Sequence, residues 1–185
     1  MKVFEKPGPS NTDEACRIAI ERASSIGAPI VAATTEGDSG ARLCAIAKEM
    51  GFAGDIVIVT HAFGSKKPGE NALKEENRKA MTNGGARLVT AAHALSGVER
   101  GISSRFQGVY PAELMANTLR MLSQGIKVVV EIGSMALDSG AITYGGDIVC
   151  MGGTGKGLDT AVVMKPAHAN IILETNIHEI LCMPY

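Results

Sequence analysis

Pro29-Ile-Val-Ala-Ala-Thr-Thr-Glu-Gly-Asp-Ser-Gly40 is the stretch that decides the fold. Its first seven residues form a short apolar run, rich in β-branched side chains and closing on two hydroxyls, the pattern of a strand buried on both faces. After the Glu36-Gly-Asp break, Ser39 opens a helix to Met50, with Leu43, Ile46, Ala47 and Met50 on one face. Upstream, Thr12 is a candidate N-cap followed by Asp13 and Glu14, and the helix it starts stops at Gly27 in the C′ position. Downstream the unit repeats. Asp55-Ile-Val-Ile-Val-Thr60 reads as a second strand, Glu70 to Met81 as a polar helix, and Ala86 to Ala92 as a third strand. Strands alternating with helices imply an α/β fold with a mostly parallel sheet.

The second half reads less regularly. Residues 93–110 hold three glycines and three serines without a period, which reads as a long loop. Pro111 opens a helix with Leu114, Met115, Thr118, Leu119 and Leu122 as its buried face and Gly125 as its end. Lys127-Val-Val-Val-Glu-Ile132 reads as a strand, Ser134 to Ala141 as a short helix, and Gly146 to Met151 as a very apolar strand. Thr160 to Met164 follows after a glycine loop too short for a parallel crossover, so it is expected to run antiparallel. The tail, residues 167–185, is apolar enough to dock on the body, with helix and strand both open.

The composition narrows the class. A chain of 185 residues fits one domain spanning 1–185 around one core, and its interior is aliphatic: 45% of residues are hydrophobic, only 4% aromatic. The net charge of −1 and the scattered Lys and Arg lack the basic footprint of a nucleic-acid binder. The N-terminus has no signal-peptide core, and no stretch approaches the ~18 apolar residues of a membrane span, so a cytoplasmic location without a membrane partner is the expectation. Cys16, Cys44, Cys150 and Cys182 lie far apart beside apolar neighbours, the pattern of reduced core thiols and not of a metal site.

In open α/β sheets the ligand sits outside the carboxyl ends of the parallel strands. The residues there are Thr34, Thr35, Glu36, Gly37, Ser39 and Gly40 in the first loop, Thr60 and His61 after the second strand, His93 after the third, and Gly153, Thr154, Gly155 and Lys156 in the glycine loop. Two hydroxyls, a glycine and a helix start form a phosphate cup in the first loop; capping of the helix by Thr35 or Ser39 is the alternative use of the same residues. Residues 152–157 match neither a Walker loop, since position 150 is Cys and Gly157 follows Lys156, nor GxGxxG. They are equally a closing loop over an anion and a tight turn. His61 and His93 are candidates for phosphate contact or acid/base work. His168 and His178 are assigned to structural or surface roles. Glu131 and Asp138 flank a possible site helix, with solvated or capping roles as the default. No GxSxG elbow occurs.

Pro29 to Leu43 resembles the strand, phosphate loop and helix of the C-terminal domain of pyruvate kinase, and Gly146 to Met164 resembles that domain's last parallel strand, glycine-rich effector loop and closing antiparallel strand. The resemblance implies a three-layer α/β/α sandwich with a mixed sheet and an antiparallel edge strand. It also implies a phosphate site at Thr34, Thr35, Gly37 and Ser39, with Thr154, Gly155 and Lys156 folding over the ligand. The chain has no room for a catalytic barrel, so no phosphoenolpyruvate chemistry is implied. His61 to Pro68, residues 93–110 and the tail make it more similar to the stand-alone proteins named after this domain, for which the resemblance implies a flavin mononucleotide ligand. The leading expectation is therefore binding of a phosphorylated small molecule, flavin mononucleotide or a sugar phosphate. An enzyme using His61 or His93 as acid/base and a homo-oligomeric module remain open beside it.

Overall fold

The computed structural model describes residues 1–185. Seven strands form one sheet: β1 (Lys2–Phe4), β2 (Ile30–Thr34), β3 (Ile56–Thr60), β4 (Arg87–Thr90), β5 (Ile148–Gly152), β6 (Thr160–Lys165) and β7 (Asn176–Pro184), in spatial order β1-β7-β6-β5-β2-β3-β4. Six helices accompany them: α1 (Thr12–Ile26), α2 (Asp38–Glu49), α3 (Glu75–Asn83), α4 (Gly97–Phe106), α5 (Pro111–Arg120) and α6 (Gln124–Asp138). No helix is long and apolar enough to cross a membrane.

Alternation along the strands builds two cores. Ile30, Ala32, Ile56 and Ile58 face one side with Ile20 of α1, Leu43 and Ile46 of α2 and Met81 of α3. Val31, Val57, Val59 and Val89 face the other with Ile126, Val129, Ile132 and Met135 of α6. Successive strand residues point to opposite faces, so runs buried on both sides are what the short Val/Ile segments require. The result is an α/β/α sandwich.

The expected antiparallel pairing of Thr160–Met164 is present, since β6 runs antiparallel to β5. It is not at the edge, however. The tail becomes β7, antiparallel to β6, and β1 pairs in parallel outside it, so the antiparallel strand lies inside the sheet.

Several local expectations are corrected. Lys127 to Ile132 is not a strand but the middle of α6, and the short helix expected from Ser134 is that same helix's second half. α6 is buried on almost every side, which removes the amphipathic signature that separates helix from strand. It starts at Ser123, whose Oγ accepts the Ile126 N–H at 3.0 Å. Gly125 therefore does not end α5; it lies in the first turn of α6, where a Cβ would land on the Thr160 side chain. Residues 93–110 are not a loop throughout, because Gly97–Phe106 is helical with no buried residue. Nor do the expected apolar residues of α5 form a buried face: only Ala116 is buried, and Leu114 and Leu122 are exposed. Thr12 is the first residue of α1 after Asn11, and its Oγ1 accepts the Leu158 N–H at 3.1 Å instead of capping the helix.

Candidate functional site

From β2 the chain moves outward to β3 and β4, then returns to place β5 on β2's other side. That reversal opens a crevice above the carboxyl ends of β2 and β5, where connections leave in opposite directions. A crevice of about 700 Å³ occupies this position, lined from the loops after β2, β3, β4 and β5 and from α4 and α6. Its size is in the range of sites for small organic ligands.

The β2 loop is held from within. Thr34 Oγ1 accepts the Gly37 N–H at 3.1 Å and lies 3.0 Å from Ser39 Oγ, which also reaches the Ala33 carbonyl at 3.1 Å. Gly37 takes φ 101°, a conformation that favours glycine, and a Cβ there would collide with Asn77 and sit 2.7 Å from Leu73 Cδ1. The first backbone bond of α2 is from Ala41 N–H to the Gly37 carbonyl, so the N–H groups of Asp38, Ser39 and Gly40 have no acceptor within the helix. Gly40 does not line the crevice. It is a packing glycine, since a Cβ would approach Met81 Sδ to 2.5 Å.

Glu36 clamps the loop sideways. Lys66 Nζ reaches its carboxylate at 2.7 Å and Lys74 Nζ at 3.2 Å, and these two lysines hold its pKa down to about 2. The glycine loop is organised by buried Asp159, whose Oδ2 accepts from Gly8 N at 3.0 Å and Thr154 N at 3.2 Å. Thr154 is thereby committed to the protein and does not line the crevice, whereas Gly153, Gly155 and Lys156 do.

On the β3–β4 side, Thr60 Oγ1 lies 2.6 Å from Thr90 Oγ1. The His61 and His93 rings meet at a centroid distance of 4.3 Å. His61 Nδ1 is buried without a hydrogen-bond partner. His93 Nδ1 faces Glu131 Oε2 at 4.0 Å; that oxygen also accepts from Lys127 Nζ at 2.5 Å, while Oε1 accepts the Leu95 N–H at 3.0 Å. Burial pushes both histidines below their ordinary pKa, and for His61 the neighbouring His93 adds to the effect. Glu131 is thus neither solvated nor a cap, and it forms no pair with Asp138, which bonds His168 Nδ1 at 2.6 Å instead.

Charge in the crevice is unbalanced. Four lining carboxylates each have a cationic partner: Asp13 with Arg42, Glu36 with Lys66, Glu131 with Lys127, and Asp38 with Lys74 from outside. Arg100, Arg120 and Lys156 also line it and face no carboxylate. Arg120 bonds only the neutral Gln124 and Asn117 side chains.

Residues 13–164 match the pyruvate kinase, alpha/beta domain family. The chain belongs to that family. The match runs from α1 through β6 and so takes in every loop that lines the crevice apart from Pro9 and Thr12 at its rim. The crystal structure of an O-ureido-L-serine synthase is also similar, at 15% identity and a TM-score of 0.32 over 72% of this chain; the chain spans about half of that structure's length, 49%.

Within this pyruvate kinase alpha/beta family member, Thr34, Thr35, Glu36, Ser39, Thr60, His61, His93, Gly153, Gly155 and Lys156 line one crevice, and Gly37, Gly40 and Thr154 support it from behind. Sequence reasoning did not single out Arg42, Lys66, Arg100, Arg120 or Lys127. For Lys127 and Glu131 the available signal was their spacing of four, which stacks two side chains on one helix face. The arginines carry no local motif; only the tertiary fold brings them to the crevice.

Proposed function

We propose that this domain binds a phosphate-bearing small molecule, flavin mononucleotide or a sugar phosphate, with its phosphate at the Ser39 end of α2. The observation that carries the reading is the set of three cations, Arg100, Arg120 and Lys156, left without carboxylates around a crevice that is also lined by Asp38 and Ser39, whose N–H groups have no acceptor within α2. A phosphate dianion supplies the missing charge and accepts from the helix terminus, where the macrodipole favours it. A crevice of about 700 Å³ is in the size range of sites for either kind of ester.

The test is a visible absorption spectrum of the purified protein together with thermal shifts in flavin mononucleotide, sugar phosphates and inorganic phosphate. A flavin spectrum, or a rise in Tm with a phosphate ester, supports the reading. Ser39→Glu puts a carboxylate at the proposed phosphate position, so binding falls by more than tenfold, the equivalent of about 1.5–3 kcal/mol for a charge-assisted hydrogen bond. A colourless protein whose Tm responds to none of these ligands contradicts it.

A further inference from the structure

One part of the crevice has no role in holding a phosphate: the polar cluster at its β3–β4 end. A phosphate at Ser39 does not need two imidazoles touching each other, a buried ring nitrogen with no partner, and a buried Lys–Glu pair behind them. Burying such a pair is costly, and a buried polar atom left without a partner calls for a reason beyond packing.

We propose that His61 and His93 form a proton-transfer centre, and that the bound phosphate ester is a substrate with a carbonyl-activated C–H bond. This rests on the anion-binding reading above and selects its sugar-phosphate arm. Thr34, Thr60 and Thr90 are in register across adjacent strands. With strands about 4.8 Å apart, His61, one residue past Thr60, and His93, three residues past Thr90, fall one and two strands over from the phosphate cup beside Thr34 and line the same crevice. A phosphorylated ketose of three to five carbons reaches from the cup to the histidines, since its activated carbon lies several bonds from phosphorus and a base nitrogen stands about 3–3.5 Å beyond that carbon.

The two imidazoles have different surroundings, which assigns their roles. His93 faces the Glu131 carboxylate, which favours its protonated form, while Lys127 on α6 and Arg100 on α4 oppose it. His61 has no direct carboxylate contact: burial, then His93, Lys66 and Lys127 disfavour its protonation, and the Glu131 carboxylate opposes them only from beyond contact distance. His93 is then the base. Its neutral nitrogen takes the proton from the carbon beside the carbonyl; the C–H pair becomes the C=C bond of an enediolate, and the carbonyl π pair moves onto oxygen. His61 donates an N–H to that oxygen. Once the His93 proton has exchanged with solvent, its return to the same carbon labels the substrate; its return to the former carbonyl carbon, as the hydroxyl proton passes to His61 in place of the one His61 gave the carbonyl oxygen, isomerises the substrate with no oxidant or reductant consumed. Glu131 acts as a positioning residue, with Lys127 and the Leu95 N–H fixing its carboxylate.

The experiment incubates the protein with dihydroxyacetone phosphate and ribulose 5-phosphate in heavy water and follows loss of C–H signals by proton NMR, beside calorimetric binding of the same esters and of inorganic phosphate. The expected result is deuterium incorporation above the protein-free rate. It falls about 10²–10⁴-fold in His93→Gln with phosphate affinity retained. Glu131→Gln displaces the acidic limb of the pH–rate profile, which a purely structural role does not do; His61→Asn supplies a second variant if Glu131→Gln does not fold. Binding without exchange, or exchange indifferent to both histidine variants, overturns the proposal and leaves the anion reading standing. Absence of binding by esters and phosphate alike removes both.

Discussion

Replacing Lys127 by Met tests whether α6 is held in the crevice wall by charge. Lys127 and Glu131 are 5% and 3% exposed, and their side chains meet at 2.5 Å one helical turn apart. Lys127→Met fills the volume but leaves the Glu131 carboxylate buried with the Leu95 N–H as its one close donor. Breaking a buried pair from one side costs about 3–5 kcal/mol. For a chain of this size that lowers Tm by about 6–20 °C. The double variant Lys127→Met, Glu131→Leu removes both charges and orphans only the Leu95 N–H, a loss of about 1–3 kcal/mol, so it is more stable than Lys127→Met alone or close to it. Thermal and urea denaturation followed by circular dichroism, on wild type, both single variants and the double variant, measures the cycle. A single-variant Tm within about 2 °C of wild type, or strict additivity of the two substitutions, refutes the reasoning.

Three further outcomes follow from the same geometry. Gly125→Ala drives a methyl into Thr160 where α6 crosses β6, and urea denaturation is expected to show a loss of about 1–3 kcal/mol or more, whereas an unchanged midpoint contradicts that crossing. Asp159→Ala orphans the Gly8 and Thr154 N–H groups; it lowers Tm and raises hydrogen exchange in residues 153–157, an effect absent if the glycine loop stands on its own. Both crevice histidines titrate below the ordinary value of 6.5 in the folded protein, so the unfolded chain takes up protons first as pH falls. Their contribution to stability is therefore full above about pH 6.5 and is lost as pH drops through the folded values; urea midpoints across this range decline less steeply in the His61→Asn, His93→Asn variant.

The half of the fold around β2 and β3 was legible because each strand is a short β-branched run ending in a hydroxyl, and the helices on either side of β2 each show one apolar face. α6 was not, since Val128, Val129, Val130 and Ile132 are apolar on neighbouring faces and a helix buried all round carries no period. The Lys127–Glu131 spacing was the one residue-level hint. α4 escaped for the opposite reason: it buries nothing, and Val98 and Phe106 are 81% and 69% exposed, so packing left no mark on its sequence. The loops of the candidate site could be placed by strand ends alone. The charge asymmetry could not, because Arg100 and Arg120 come from helices whose position depends on the return of the chain to β5.

Anion binding in the crevice is tested most directly by calorimetric titration of flavin mononucleotide and a sugar phosphate into wild type and an Arg100→Ala, Arg120→Ala, Lys156→Ala variant. Saturable binding of at least one ester to wild type is expected, weakened at least tenfold in the variant while the Tm of the free protein is unchanged, as fits the loss of charge-assisted contacts of about 1.5–3 kcal/mol each. No binding of either ester, or binding indifferent to removal of the three cations, contradicts it.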